Sequence, residues 1–124
     1  MNVVDSSGWL EYFADGPSAE FFAAAVEDTT ELIVPSISLY EVFGRVFEQR
    51  GEGDALQAVA IMQQGMVIDL DSALALNAAR LSSTLKLPMA DAIMLATARQ
   101  YEAVLWTQDA HFAEVDGVRY VPRE

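Results

Sequence analysis

The 124-residue sequence contains no cysteine, so neither a disulfide bond nor a thiolate metal site is available to it. Basic residues are also scarce. The 7 lysines and arginines stand against 19 aspartates and glutamates, which gives a net charge of −12. This balance argues against nonspecific binding of nucleic acid through a broad basic surface. It does not exclude a nuclease whose metal ions neutralise local carboxylates, and it favours a basic protein partner.

Long apolar runs are absent as well, and none approaches the length needed to cross a bilayer. Asp5 and Glu11 interrupt the first residues and no basic segment precedes them, so we expect no signal peptide. The hydrophobic fraction of 52% and the mean hydropathy of +0.20 exclude a disordered chain. We therefore expect a single domain over residues 1–124, located in the cytoplasm and without membrane association.

Short apolar segments alternate along the chain with segments of helical periodicity. The strands are predicted at Asn2–Val4, Leu32–Val34, Met66–Ile68, Ala103–Trp106 and Val118–Val121. The first helix is predicted to be capped by Ser6 or Ser7, and the second to begin at Pro17. The next two are predicted to span about Ser38–Arg50 and Asp54–Gln64. A fifth is predicted to be capped by Asp71 or Ser72, and a sixth to begin at Pro88. The alternation and the uniformly apolar strands predict a three-layer α/β/α sandwich with a mainly parallel central sheet.

Four carboxylates lie at equivalent edges of these elements, namely Asp5, Glu41, Asp91 and Asp109. Asp5 and Asp109 follow apolar runs, whereas Glu41 and Asp91 lie just inside the starts of two helices that each follow a proline. Strand ends and helix starts are where open α/β sheets build their sites. Four acids that converge there repel one another strongly unless a divalent cation lies among them. Hard oxygen ligands of this kind suit Mg²⁺ or Mn²⁺ better than zinc.

Three of the four carboxylates also have a purely structural explanation. Asp5 could cap the following helix, a role that is compatible with facing a metal. Glu41 lies three residues after Ser38, so the pair matches a capping box, and Arg45 four positions later offers an ion pair. Asp109 could make a turn or cap a short helix.

Asp91 resists such an explanation. Its position in the first turn of a helix suits a negative charge, but the surrounding segment Met89–Ala96 is otherwise entirely apolar. A carboxylate in such surroundings needs a partner, and the adjacent sequence offers no cation. His111, the only histidine, has no serine or cysteine in a supporting motif. A nucleophile–base pair is therefore not indicated, and we expect His111 to be a loop residue.

Four segments, taken in their order along the chain, resemble the motifs of a known family. They are Val3–Ser7, Ser38–Val42, Leu87–Ala98 and Leu105–Phe112. In this order and spacing the chain resembles, over essentially its whole length, a PIN domain, specifically the toxin ribonuclease of a VapB–VapC type II toxin–antitoxin pair. The resemblance implies a metal-dependent endoribonuclease that hydrolyses RNA phosphodiester bonds and leaves a 5′-phosphate and a 3′-hydroxyl. It also implies a homodimer that is neutralised by a cognate antitoxin protein.

The same resemblance implies roles for residues of this sequence. The family's acidic quartet maps to the catalytic residues Asp5, Glu41, Asp91 and Asp109. Asp5, Asp91 and Asp109 are the expected ligands of Mg²⁺ or Mn²⁺, and the supporting hydroxyls map to Ser6 and Thr107. Separately, the candidates for holding RNA phosphates are Arg45 and Arg99, together with Arg50 and Lys86. A surface salt bridge is the simpler explanation of each of these four.

Other classes of small acidic α/β protein fit less well. A receiver-like signalling domain also binds Mg²⁺, but it carries a lysine near its end, and the only lysine here, Lys86, precedes the penultimate strand. A haloacid-dehalogenase-like phosphatase needs Asp-x-Asp after its first strand, and the sequence Asp5-Ser6-Ser7 lacks the second acid. A PIN-like fold that serves as a non-catalytic binding module remains an alternative.

An aromatic surface provides the last expectation. Trp9, Phe43 and Phe47 are predicted to contribute to a groove for an antitoxin helix. Burial of all three side chains in the core is the alternative explanation.

Overall fold

The structure, a computed structural model that describes residues 1–124, contains a five-stranded parallel sheet flanked by helices. The strands are β1 (Asn2–Val4), β2 (Leu32–Pro35), β3 (Met66–Ile68), β4 (Val104–Thr107) and β5 (Val118–Tyr120). The helices are α1 (Ser6–Phe13), α2 (Ala19–Val26), α3 (Ser36–Arg50), α4 (Glu52–Met62), α5 (Ser72–Leu85) and α6 (Met89–Gln100). Two short 3₁₀ helices lie at Thr29–Glu31 and Ala110–Phe112. None of the helices is long and apolar enough to span a membrane.

The strands follow the order β3-β2-β1-β4-β5, and every neighbouring pair is parallel. β1 is therefore central, with Val3 opposite Ile33 of β2 on one side and opposite Leu105 of β4 on the other. The strand order reverses at β1, because the chain passes first to β2 and later returns to β4. Open α/β sheets bind their ligands beyond the carboxyl ends of the strands at such a point.

Alternate side chains of the central strands enter two separate hydrophobic cores. Val4 and Val34 pack in a core with residues of α1, α2, α3 and α4. Val3 and Ile33 pack in a second core with residues of α5 and α6. Because successive side chains of a strand point to opposite faces, the two cores lie on opposite sides of the sheet. The predicted three-layer α/β/α sandwich with a parallel central sheet is confirmed.

The start of α3 differs from the prediction. The helix begins at Ser36, two positions earlier than expected, and Ser38 lies inside it, fully buried and with no hydrogen-bond partner for its hydroxyl. Pro35 both ends β2 and precedes the helix, with an extended conformation of φ −60° and ψ 137°. Proline fixes such a φ and supplies no side-chain cap. The alternative explanation of Ser38 and Glu41 as a capping box is therefore wrong.

Two other helix boundaries also shift. α2 begins at Ala19 rather than at Pro17, after a loop in which the Glu11 carboxylate accepts a hydrogen bond from the Ser18 amide at 2.8 Å. α4 begins at Glu52, because Gly51 turns the chain directly out of α3 with a φ of +90°. Only glycine adopts such a conformation without strain, so the connection between α3 and α4 needs a single residue.

The predicted aromatic surface is only partly present. Trp9 is fully buried, and its ring stacks on that of Phe13 at 5.7 Å, so the part of the prediction that concerns Trp9 is wrong. Its position in α1 turns the indole toward the core shared with the other three helices of that face. Phe43 and Phe47 lie in α3 with ring centroids 5.7 Å apart, and Phe47 is 48% exposed.

Candidate active site

Asp5 lies directly after β1, at the centre of the carboxyl edge of the sheet, and is 2% exposed. Its Oδ1 accepts hydrogen bonds from the Gly8 amide at 2.8 Å and from the Ser7 hydroxyl at 2.9 Å, so Asp5 does cap α1. Its Oδ2 accepts a hydrogen bond from the hydroxyl of Thr107. Burial raises the pKa of Asp5, hydrogen bonds from Thr107, Gly8 and Ser7 oppose that rise, and the charge of Asp109 adds to it.

Thr107 connects the two strands that flank the site. It is the last residue of β4 and is fully buried. Its hydroxyl donates to Asp5, and the same oxygen accepts a hydrogen bond from the Asp109 amide at 2.9 Å. Asp109 in turn caps the 3₁₀ helix Ala110–Phe112, because its Oδ1 accepts from the His111 amide at 2.9 Å. The Asp109 side chain remains 27% exposed, so its carboxylate is open to a ligand.

Asp91 is the third residue of α6, in the first turn of the helix. Its side chain is 14% exposed, and its Oδ2 lies 3.2 Å from Nδ1 of His111. Burial and the charge of Asp109 raise the pKa of Asp91 to about 6, with a smaller contribution from Asp5, while the hydrogen bond to His111 lowers it. Two other acids thus act on Asp91, which is the electrostatic signature of carboxylates gathered in one place.

The expectation that His111 is a loop residue is wrong, because His111 lies in the 3₁₀ helix Ala110–Phe112 and belongs to this cluster. Its Nδ1 lies 3.2 Å from Asp91 Oδ2 and 3.1 Å from Asp109 Oδ1, and its side chain is 56% exposed. It supplies the partner that the apolar surroundings of Asp91 lacked in the sequence. The sequence does show that His111 follows Asp109 by two positions just after a strand. Nothing in the neighbouring sequence indicates that this segment contacts α6.

Glu41 lies in the second turn of α3, on a different element from the other acids. Its Oε1 accepts a hydrogen bond at 2.7 Å from the hydroxyl of Ser6, the residue that follows Asp5. No ion pair forms between Glu41 and Arg45, so the alternative explanation as a local salt bridge is wrong. The Ser6 hydroxyl also contacts the sulfur of Met94 in α6 at 3.9 Å. Ser6 therefore joins α1, α3 and α6 at the edge of the sheet.

A cleft of about 1350 Å³ contains these groups, since Asp5, Glu41, Asp91 and Asp109 all line it together with Ser6. Arginines line the same cleft at Arg45, Arg50 and Arg123. Two of the predicted phosphate-binding residues lie elsewhere. Arg99 is exposed in the last turn of α6, about 12 Å along the helix axis from Asp91, and Lys86 is exposed at the end of α5. The cleft thus brings together all four predicted acids and only part of the predicted cationic set.

The sequence matches the profile of the PIN domain over residues 3–118. The chain belongs to the PIN domain family. No curated protein matches the sequence at a significant level. Among solved structures, this PIN domain resembles a toxin–antitoxin complex from Klebsiella pneumoniae, with a TM-score of 0.81 and 23% identity over 100% of this chain and 99% of that one.

Two further solved structures extend the comparison. The sarcin–ricin-loop-cleaving toxin VapC20 of Mycobacterium tuberculosis has a TM-score of 0.78 and 17% identity over 95% of this chain and 97% of its own. VapBC2 of Rickettsia felis, bound to a DNA fragment of its promoter, has a TM-score of 0.73 and 13% identity over 98% of this chain and 97% of its own. At these identities the likeness establishes a shared PIN fold over nearly the whole chain.

The donor set of this PIN domain fits a divalent cation. One ligand atom each from Asp91, Asp109 and His111 lies within 4.8 Å of the others. Asp5 adds a buried carboxylate whose charge acts on Asp91. Nearby, Gln108 is 4% exposed and lines the cleft, and its side-chain carbonyl oxygen has no hydrogen-bond partner. Carboxylates brought this close favour a divalent cation.

Proposed function

We propose that this PIN domain is a metal-dependent endoribonuclease and the toxin of a toxin–antitoxin pair. The observation that carries the proposal is the convergence of Asp5, Glu41, Asp91 and Asp109 in one cleft at the carboxyl edge of the sheet. Membership of the PIN family and the described cleavage of the sarcin–ricin loop by a protein of the same fold support RNA as the substrate. The proposed cofactor is Mg²⁺ or Mn²⁺, with Asp5, Asp91 and Asp109 as ligands.

The acidic side chains of the cleft have different roles in the proposed reaction. A bound divalent cation would stabilise negative charge on the phosphate and lower the pKa of water at the site. The side chains of Asp91 and Asp109 are partly exposed and can contact substrate. Asp5 is buried, and its carboxylate is hydrogen-bonded to Thr107 and to the start of α1. Glu41 has Oε1 fixed by Ser6, so its other oxygen can hold and orient the attacking water.

Arginines in the cleft offer contacts for the RNA backbone. Arg45, Arg50 and Arg123 line it, although the chain as a whole carries a net charge of −12. Arg45 lies one helical turn after Glu41 in α3 and is exposed, so its guanidinium can reach a phosphate next to the scissile bond. A few arginines contact only a short stretch of RNA, so the affinity for RNA should depend only modestly on the salt concentration.

The proposed protein partners are a cognate antitoxin and a second copy of this chain. Several proteins of the same fold are described as toxin–antitoxin complexes, and some of these are bound to DNA. The outer face of α3 presents Tyr40, which is 77% exposed, and Phe47, which is 48% exposed, and such aromatic area suits an antitoxin segment. A short neighbouring gene that encodes a DNA-binding protein, and co-purification of its product, would support this part of the proposal. We place the pair in the cytoplasm.

RNA cleavage tests the proposed activity directly. Purified protein is incubated with labelled RNA that contains both hairpins and single-stranded segments, in Mg²⁺, in Mn²⁺ and in excess EDTA. The proposal requires internal cleavage in at least one metal and none in EDTA. Binding of intact RNA without cleavage in either metal would instead indicate the non-catalytic binding module.

A further inference from the structure

We propose that His111 is a metal ligand through Nδ1, and that it makes the site a mixed nitrogen–oxygen site which favours first-row transition ions over Mg²⁺. The inference rests on the proposed function for the presence of a divalent cation in the cleft. It adds a fourth ligand, a nitrogen donor, to the three carboxylates of Asp5, Asp91 and Asp109, and it concerns which ion the protein selects.

The distances around His111 carry the inference. Its Nδ1 lies 3.2 Å from Asp91 Oδ2 and 3.1 Å from Asp109 Oδ1. In an octahedral site with bonds of about 2.1 Å, adjacent ligand atoms are about 3.0 Å apart. Both contacts of Nδ1 are close to this separation, and one ligand atom each from Asp91, Asp109 and His111 lies within 4.8 Å of the others.

The backbone holds His111 in this position. Its amide donates to Asp109 Oδ1 at 2.9 Å, which fixes the first turn of the 3₁₀ helix Ala110–Phe112. The next residue, Phe112, is fully buried in the core shared with α5 and α6 and anchors the helix on the sheet. The imidazole is exposed, but these backbone contacts fix the start of its side chain, and its Nδ1 lies beside both carboxylates.

A nitrogen donor changes which cation binds best. Mg²⁺ prefers oxygen ligands and retains several waters, whereas imidazole is a good ligand for first-row transition ions. An imidazole in the site therefore strengthens the binding of Co²⁺ and Mn²⁺ more than that of Mg²⁺, and more for Co²⁺ than for Mn²⁺. In the bound form the Nδ1 lone pair faces the ion, and the ring proton is on Nε2.

The competing explanation is that His111 only donates a hydrogen bond from Nδ1 to the two carboxylates. In that arrangement an entering cation displaces the imidazole, and removal of His111 affects the binding of all cations alike. Spectroscopy separates the two arrangements, because His111 is the only histidine in the chain. Any imidazole nitrogen coupled to a bound ion must therefore come from His111, provided that the protein carries no histidine tag.

The experiment uses tag-free full-length protein and three ions, Mn²⁺, Co²⁺ and Mg²⁺. Electron spin-echo modulation of the Mn²⁺ form is expected to show ¹⁴N coupling from one imidazole, which His111→Gln abolishes. Calorimetry is expected to show that His111→Gln weakens Co²⁺ and Mn²⁺ binding about tenfold or more, the lower end of losses seen even for residues outside the ligand shell. Mg²⁺ binding should change less than about threefold, since Mg²⁺ gains little from imidazole.

Glu114→Gln is the matched control, because Glu114 is exposed and lies three residues further along the chain. It should leave the ¹⁴N coupling and all three affinities unchanged. Absence of ¹⁴N coupling in the wild type, or an equal loss of affinity for all three ions in His111→Gln, would overturn the inference. RNA cleavage is not a readout here, so a protein that shows the coupling but leaves RNA intact would contradict the proposed function alone.

Discussion

The hydroxyl of Thr107 donates a hydrogen bond to the carboxylate of Asp5, which lies 102 positions earlier in the chain. The contact joins the ends of β1 and β4, the two neighbouring strands at the centre of the sheet. Through its second hydrogen bond Thr107 also fixes the backbone of Asp109. One buried hydroxyl therefore positions two of the four acids relative to each other.

Replacement of Thr107 by valine should weaken both folding and metal binding. Valine has nearly the same shape but no hydroxyl, so Asp5 loses a donor and the Asp109 amide loses its acceptor. We expect a loss of about 1–3 kcal/mol in the free energy of unfolding. Thr107→Ser keeps the hydroxyl and is expected to retain metal binding. Denaturant unfolding and calorimetry measure the two effects, and a valine variant that matches the wild type in both would contradict the positioning role.

Replacement of Ser6 by alanine should impair catalysis more than stability. The hydroxyl holds Glu41 at 2.7 Å, and Glu41 lies on α3, where no other hydrogen bond orients its carboxylate. We expect cleavage to slow by about 10- to 100-fold through misplacement of Glu41. The free energy of unfolding should fall by only about 1 kcal/mol. Ser83→Ala, at an exposed position of α5, is the control for loss of a serine. Equal rates for the two variants would show that Ser6 does not position Glu41.

The stability of the metal-free protein should decrease as the pH rises from about 4 to 6. The pKa of Asp91 is about 6 in the folded protein against an ordinary value of 3.8, so the folded state binds more protons than the unfolded chain within this window. Because Asp91 is partly exposed, solvent screening reduces the effect, and the expected loss is about 1–2 kcal/mol in the free energy of unfolding. The raised pKa of Asp5 acts in the same direction. Denaturation curves in EDTA at several pH values measure this, and Asp91→Asn should flatten the profile.

Added Mg²⁺ should reverse this loss of stability near the upper end of the pH range, at about pH 6. A cation binds the ionised carboxylates of the folded protein, so the stabilisation by metal grows as protons leave Asp91. A profile in EDTA that rises with pH between 4 and 6 would contradict the closeness of the acids.

The arginine at position 45 should contribute to RNA affinity, whereas the one at position 99 should not. Arg45 lines the cleft, and Arg99 lies at the far end of α6. Arg45→Ala is expected to weaken RNA binding and to lower the slope of log affinity against log salt by about 0.7. Titrations of RNA in EDTA at several salt concentrations give both quantities. Equal effects of Arg45→Ala and Arg99→Ala would show that the phosphate contacts are not localised in the cleft.

The fold could be predicted from the sequence because its signals are local. Apolar strands, helix starts and the alternation between them are visible in short windows, and they determine the three layers. The exact starts of the helices were harder to predict from the sequence. Ser38 and Glu41 match a capping box, yet Pro35 begins α3 earlier without any side-chain cap. Trp9 could not be placed by pattern alone, because the side of α1 that faces the sheet depends on the packing of three other helices.

Only part of the site could be predicted from the sequence, for the same reason. The acids could be grouped because each follows a strand or begins a helix, and the topology brings those positions to one edge. The partnership between Asp91 and His111 depends on the orientation of the short 3₁₀ helix, which the sequence does not reveal. The different positions of Arg45 and Arg99 depend on which end of each helix points toward the cleft. Such relationships between distant elements are set by packing.

The most direct test of the central claim compares Asp91→Asn with Asp69→Asn in metal-dependent RNA cleavage. Asp69 is exposed and follows β3 at the same edge of the sheet, so its replacement removes the same charge outside the cleft. We expect Asp91→Asn to lower the rate of cleavage in Mg²⁺ or Mn²⁺ by at least about 100-fold. In EDTA the variant should unfold no more easily than the wild type, and Asp69→Asn should cleave like the wild type. Full activity of a folded Asp91→Asn protein would contradict the account.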